Sequence, residues 1–335
     1  MPLTNTQVID VLKTTFVPGL KKQLLSVGML REVKVLVGRV EVSVTIPKIS
    51  EENVNKLKEV LTKRIKDLGA DQVEIHIDFK KEQQIKYPIA IGSGKGGVGK
   101  STVSANLAIG LANLGYSVGI LDADVHGPNI PIMFGVNDRP YLNEDKQIIP
   151  IEKYGVKIMS LGFLLEDQST PVIWRGPLVT KAIEQLYNDV AWGKLDYLLI
   201  DLPPGTGDAA LTVTQSLPLK FGIVVTTPQK VAVADASKSL RMFKEMKIPV
   251  LGVIENMSYF ICPHCGAKSE IFGHGGGEQM SMENGVPFLG KVPLEMKVRE
   301  GGDKGVPAAA MEEETETKKV FLQIAKKVAE LSSEK

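Results

Sequence analysis

Cysteine is scarce in this sequence: 2 occur among 335 residues, Cys262 and Cys265. A secreted disulfide framework is therefore not expected, and a reducing cytoplasm is the default expectation. Net charge is nearly absent too, since 40 basic residues balance 39 acidic ones to +1. Residues 1–80 carry a slight basic excess and the remainder a slight acidic one. Neither half has the electrostatic footprint of a nucleic-acid or anionic-membrane binder, so no nucleic acid and no membrane are expected as partners. No apolar run is long enough to span a bilayer. The opening "MPLTNTQVID" has no basic head before an apolar stretch, so no secretory leader is expected. Repeats and low-complexity tracts are lacking as well. The 43% hydrophobic and 24% charged shares are those of an ordinary globular chain, long enough for a large α/β core with an appendage.

Two patterns divide the chain. In residues 1–80, Val8, Ile9, Val11, Leu12 and Phe16 mark a first helix, capped near Thr4 to Thr6. "VKVLVGRVEVSVTI" (33–46) then alternates on either side of Gly38-Arg39, which reads as a β-hairpin with one buried face. Ser50 opens a second helix with Val54, Leu57, Val60, Leu61, Ile65 and Leu68 on one side, and Gly69 stops it. Val73, Ile75, Ile77 and Phe79 form a third strand. The expectation is a small α-β-β-α-β domain over 1–80, of α+β type. The polar, proline-ended "KKEQQIKYP" supplies a linker over 81–88.

From Ile89 the pattern changes. "IAIGS", "VGIL", "LDYLLIDLP", "KFGIVVTTP" and "VLGVIEN" are short apolar runs without alternation, as strands buried on both faces should be. Separated by helical stretches, they predict an α/β fold over 89–335 with a parallel sheet wrapped by helices. A last helix at about 313–332 carries Val320, Phe321, Ile324, Val328 and Leu331 on one stripe. Its mixed charges favour core packing over a membrane surface.

"GSGKGGVGKSTVSANLA" (92–108) carries the chemistry. Gly94, Gly99, Lys100 and Ser101 fit G-x-x-x-x-G-K-[ST], after a buried strand and before a helix. Such a loop turns backbone N–H groups and a helix N-terminus toward phosphate oxygens, and its glycines keep side chains away. Lys100 is expected at the β- and γ-phosphates of ATP, and Ser101 on Mg²⁺. The nucleotide-binding set is then Gly94, Lys95, Gly96, Gly97, Val98, Gly99, Lys100, Ser101 and Thr102. "LLIDLPPGTGD" places Asp201 at a strand's C-terminal edge, where it can orient the metal's water shell. Gly205 and Gly207 let the following loop move with the γ-phosphate. "GILDADVHGPN" adds Asp122, nearer the metal, and Asp124, which can polarise the attacking water.

Lys95 stands where the generic pattern accepts any residue. "KGGVGKST" resembles the deviant phosphate loop of the MinD, ParA and nitrogenase iron protein ATPases. That resemblance implies a P-loop NTPase fold, a homodimer, and Lys95 reaching across the interface to the partner's nucleotide as a trans-acting cation. "DADVHGPNIP", "WRGP", "DLPPGTGD", "VTTPQ", "ENMSYF" and "CPHCG" occur in that order. Together they resemble the Mrp/ApbC (Nbp-type) branch, the iron–sulfur carrier ATPases, over about 89–310. The small N-terminal unit is similar to a domain that bacterial and archaeal members carry. It departs from them in reading "FVPGL" (16–20) where an acidic Asp-Pro-Glu turn is common. By the same resemblance Asn256 reads the adenine edge, and Pro293 and Glu295 flank the base or ribose.

"CPHCG" makes a tight knuckle whose proline fixes the turn and whose glycine permits a left-handed step, aiming N–H groups at sulfur. Structural zinc and a [4Fe–4S] cluster both need four ligands, and one chain offers Cys262 and Cys265. His264 and His274 stand nearby as candidates for an intrachain zinc site. In the homodimer implied by Lys95, two pairs meet on a symmetry axis and make four thiolates. A [4Fe–4S] cluster bridging the subunits is the leading expectation, with bridging zinc, a redox disulfide or free thiols as alternatives. The function expected is an ATPase that carries such a cluster to apo iron–sulfur proteins. A MinD/ParA-type spatial-organisation ATPase, a nitrogenase-like electron donor and a zinc-bridged ATPase dimer are the alternatives.

Overall fold

The structure, a computed structural model, describes residues 3–27, 29–36, 38–79, 84–124, 127–144, 147–164 and 176–334. Val125, His126, Trp174 and Arg175, from the quoted motifs, lie outside the described residues, as do 81–83 of the expected linker. The chain divides into two compact units, residues 1–82 and 83–335.

In the first unit, α1 (Asn5–Thr14) is opened by a reciprocal cap in which Thr4 and Gln7 satisfy one another's backbone N–H. Strands β1 (Met29–Leu36) and β2 (Arg39–Ile46) form the antiparallel hairpin, α2 (Glu51–Lys66) follows its Ser50 cap, and β3 (Gln72–Phe79) returns parallel to β2. Val40, Val42, Val44 and Ile46 face inward and close a core with Val8, Leu12, Leu57, Leu61 and Ile65. Phe16, expected on the first helix, is not there. Its helix ends at Thr14, and Phe16 pairs with Gln23 in a two-residue ladder. Pro18 keeps a helix from running on through Val17, since it holds the residue before it out of the helical region. Val60 and Leu68, expected on the buried side of the second helix, are exposed.

The second unit is built on an eight-stranded sheet. Its strands are β4 (Gln84–Ser93), β5 (Val118–Asp122), β6 (Ile151–Lys153), β7 (Val156–Ser160), β8 (Lys194–Asp201), β9 (Phe221–Thr226), β10 (Val250–Glu255) and β11 (Phe288–Lys291). They lie in the order β6-β7-β5-β8-β4-β9-β10-β11, all pairs parallel except β6 with β7. Helices α3 (Lys100–Asn113), α4 (Gly176–Asn188), α5 (Asp208–Ser216), α6 (Lys230–Glu245), α7 (Gly276–Glu283), α8 (Met296–Lys304) and α9 (Glu316–Ser333) connect and cover them.

Successive strand residues feed opposite cores. Ile89, Ile91 and Leu199 pack with Val103 and Leu107 of α3 and Phe321 and Ile324 of α9. Ala90, Leu198 and Ile200 pack with Ile183 of α4, Val213 of α5 and Phe243 of α6. Two covered faces explain the unbroken apolar runs, and α9 is a core helix. The linker expected over 81–88 is a correction, because β4 begins at Gln84. Tyr87 anchors it, its ring centroid 5.3 Å from Tyr197 and 6.0 Å from Phe221. Those aromatic partners come from distant strands, so a polar local composition conceals the strand.

Candidate functional site

The chain turns from β4 into α3 through residues 94–99, at the middle of the sheet. No side chain fits at Gly94, where a Cβ would stand 1.9 Å from the Asp235 carbonyl carbon of α6. The Gly205 N–H donates to the Ser93 carbonyl at 2.9 Å, which brings the loop after β8 alongside. A cavity of about 370 Å³ opens there, lined by Lys95 to Thr102 together with Asp124, Asn129 and Pro204.

Parallel register brings the acidic residues to one edge. Asp201 pairs with Asp122 across β8 and β5, and Ser160 of β7 pairs with Asp122 from the other side. Asp201 is fully buried, and Lys100 Nζ lies 2.7 Å from its Oδ2 with both side chains almost wholly out of solvent. Ser101 Oγ donates to Asp201 Oδ2 at 2.6 Å, and Ser104 Oγ to Oδ1 at 2.6 Å. Ser101 and Lys100, assigned from sequence to metal and phosphate, thus meet on one carboxylate. Ser104 is a member that sequence reasoning missed. The signal was its position on the same helix face as Ser101, one turn on.

Asp122 is buried as well. Its Oδ1 accepts from the Asp124 N–H at 3.1 Å, and its Oδ2 from the Ile130 N–H at 3.2 Å and Ser160 Oγ at 3.1 Å. Burial above all, then the neighbouring Asp201, pushes its carboxyl up to about 8, against the pull of Lys100 and those N–H groups. Asp124 lines the phosphate cavity with Lys95. Hard oxygen donors gathered beside a phosphate loop fit Mg²⁺ better than any softer metal.

A second cavity of about 430 Å³ adjoins the first through Thr102, Asn129 and Met133. Asn256, Pro293 and Glu295 line it, and so do Arg299 and Asp303, which sequence reasoning did not single out. Asn256 Nδ2 donates to the Val98 carbonyl at 2.8 Å, so its amide already touches the phosphate loop. One oxygen of Glu295 turns away from ligand duty and accepts from the N–H (3.0 Å) and hydroxyl (2.8 Å) of Thr317, in the first turn of α9.

Cys262 and Cys265 sit at the tip of a small ladder, Phe260–Ile261 against Lys268–Ser269. The Cys262 N–H donates to the Ala267 carbonyl at 3.0 Å, and the Gly266 N–H returns to the Cys262 carbonyl at 2.9 Å. Gly266 makes the left-handed step at φ 70°. Cys262 is half-buried and Cys265 exposed. The backbone N–H of Cys265, then that of His264, then the Cys265 side chain draw the Cys262 thiol below its ordinary value. His274 Nδ1 lies 2.8 Å from Glu270 Oε2. Among the described residues, no three or more His, Cys, Asp or Glu side chains gather to hold a metal ion. Among the described residues, His264 and His274 are therefore not gathered with the cysteine pair into a metal-binding cluster.

Two measurements check this electrostatic picture. Asp122 titrates higher in the folded chain than in the unfolded one, so its contribution to stability is present below the ordinary carboxylate range. That contribution fades as pH rises through about 8. Asp122→Asn cannot ionise, so its melting temperature relative to wild type should climb between about pH 5 and about pH 9; a constant gap contradicts the shift. At neutral pH, iodoacetamide should label Cys262 before Cys265 in peptide mass spectra, and equal rates contradict the N–H-stabilised thiolate.

Comparison with known proteins identifies the family. A family model described as "ParA: NUBPL iron-transfer P-loop NTPase" matches residues 84–329. A Pyrococcus horikoshii protein named "Iron-sulfur cluster carrier protein" is 50% identical over 279 residues, covering 80% of this chain and 93% of that one. A Helicobacter pylori protein of the same name is 42% identical over 337 residues, 96% of this chain and 91% of its own. Among solved structures, a nucleotide-binding protein of Archaeoglobus fulgidus in complex with ADP superposes with a TM-score of 0.62 at 39% identity, covering 71% of this chain and 93% of that chain. The septum site-determining protein MinD of Pyrococcus horikoshii, complexed with Mg-ADP, gives 0.56 at 26% identity, covering 73% and 97%. With a phosphate loop at the centre of its sheet and a match over residues 84–329, the chain belongs to the ParA family of NUBPL iron-transfer P-loop NTPases.

Proposed function

We propose that this protein is an ATPase of the cytoplasm that carries a [4Fe–4S] cluster between two copies of the chain and delivers it to apo iron–sulfur proteins. The observation that carries the reading is the exposed Cys262–Cys265 knuckle, two thiols without a third metal-capable neighbour among the described residues, on a P-loop NTPase. A second chain related by a two-fold axis supplies the other two thiolates that a cluster needs. A cluster held by few protein groups at an exposed tip suits release to another protein. No helix of the described residues is long and apolar enough to cross a membrane, and the charge balance offers no polyanion a landing face.

In this reading ATP lies along the two adjoining cavities. Phosphates occupy the Gly94–Thr102 loop, and the base sits beside Asn256, Pro293 and Glu295. Ser101, Asp201 and Asp122 would hold Mg²⁺, which neutralises charge on the phosphates. Lys100 exchanges its Asp201 partner for the β- and γ-phosphates, so one buried ion pair replaces another without leaving a charge unpaired. Asp124 polarises the attacking water. Lys95, half-buried at the cavity rim, reaches the partner's nucleotide and meets the charge that builds up on the transferring phosphoryl group.

Anaerobic reconstitution with iron and sulfide should yield about two irons per chain in a dimeric brown protein, and Cys262→Ser should lose the metal while ATP binding survives. A colourless, zinc-loaded protein that takes up no iron overturns the carrier reading. Lys95→Ala should bind nucleotide as wild type does and lose about a thousandfold in turnover. Parallel loss of affinity and turnover contradicts the trans role.

A further inference from the structure

Glu255 is the last residue of β10, fully buried, and the nucleotide chemistry above makes no use of it. Its carboxyl group joins two places far apart in sequence. Oε1 accepts from Ser258 Oγ at 2.6 Å and from the Gly275 N–H at 3.3 Å, and Oε2 accepts from the Gly277 N–H at 2.7 Å. Ser258 precedes Cys262 by four residues, and Gly275 follows Cys265 by ten. One carboxyl group therefore clamps both feet of the loop that carries both cysteines. A carboxyl group buried without these donors would be strongly disfavoured, so the clamp is not incidental.

The other side of Glu255 faces the nucleotide cavities. The next residue, Asn256, donates to the Val98 carbonyl of the phosphate loop. The Glu255 carbonyl accepts from the Val292 N–H at 2.8 Å, the Ser258 N–H donates to the Val292 carbonyl at 2.9 Å, and the Leu294 N–H donates to the Tyr259 carbonyl at 2.7 Å. Pro293 and Leu294 are walls of the base cavity. From that wall one hydrogen-bonded route toward Cys262 passes through Val292 to the clamp, and a second runs from Leu294 to Tyr259 beside it.

We propose that Glu255 is the positioning residue through which occupancy of the nucleotide cavities is felt at the cysteine loop. Nucleotide that moves Asn256 or the Pro293–Leu294 wall displaces the end of β10. The carboxyl clamp passes that displacement to Ser258 on one foot and to Gly275 and Gly277 on the other. The proposal rests on the nucleotide-and-cysteine reading above and deepens it, because it names the residue that links the two sites.

The test uses the full chain without iron, reduced, with Mg-ADP as the probe. Iodoacetamide labelling rates of Cys262 and Cys265 are measured with and without saturating Mg-ADP, and Mg-ADP affinity is measured by calorimetry. Wild type should show a nucleotide-dependent rate change of about fivefold or more. Glu255→Gln keeps the shape but sets an amide N–H against backbone N–H donors. It should bind Mg-ADP and lose the rate change, with a ratio near one. Ser258→Ala cuts one foot only and should give an intermediate ratio, which carries the test if Glu255→Gln does not fold. A purely structural role would alter melting temperature and the ADP-free rate but leave the ratio at its wild-type value. A wild-type ratio in Glu255→Gln with ADP bound, an unchanged ratio in Ser258→Ala, or no ADP effect in wild type each overturns the proposal. Failure to take up iron counts against the carrier reading and leaves this ratio untouched.

Discussion

The buried carboxylate of Asp201 organises the nucleotide site. It lies at the C-terminal end of a strand covered on both faces, where water cannot solvate it. Such a charge persists only with a cation and hydrogen-bond donors close by, and the start of α3 provides all of them: Lys100 and Ser101 in its first turn and Ser104 just after. Removing one partner from a pair of this kind costs about 3–5 kcal/mol. The same interaction fixes how α3 meets the sheet, and so where the N-terminus of that helix points. In the proposed reading, phosphate binding would be an exchange of partners at a preformed position.

Much of this was readable in the sequence because it is written locally. A phosphate loop needs glycine at fixed offsets from a lysine and a hydroxyl, and strands buried on both faces leave unbroken apolar runs. Asp122 and Asp201 could be placed at one edge because each ends such a run, and parallel register then sets them opposite one another. What stayed hidden are contacts between distant segments. Tyr87 makes a strand of a polar stretch by packing on Tyr197 and Phe221. Glu295 gives one carboxylate oxygen to Thr317 of α9 while it also lines the second cavity. Ser104 and Glu255 have ordinary neighbours in the sequence, and their importance comes from where folding puts their partners.

The cysteine pair shows the complementary case, in which composition was more telling than geometry. Two cysteines in the whole chain cannot by themselves complete a four-ligand site. Folding adds that the two nearby histidines do not make up the deficit, since no third metal-capable side chain joins the pair among the described residues. It also adds that the knuckle points N–H groups at the half-buried Cys262 sulfur, which lowers that thiol below its ordinary value.

Two sites on one chain communicate only if something between them has more than one arrangement to choose from. In the coupling proposed above, the end of β10 would be such an element. Asn256 faces the phosphate loop, Glu255 beside it faces the cysteine loop, and a peptide unit separates the two roles. A packed strand cannot stretch, so displacement at its end is transmitted rather than absorbed. Glycines at 273 and 275, both at positive φ, give the far foot of the cysteine loop room to follow. Rigidity at Glu255 and freedom at those glycines are what a device needs if nucleotide is to loosen or tighten a pair of thiolates without unfolding what lies beneath them.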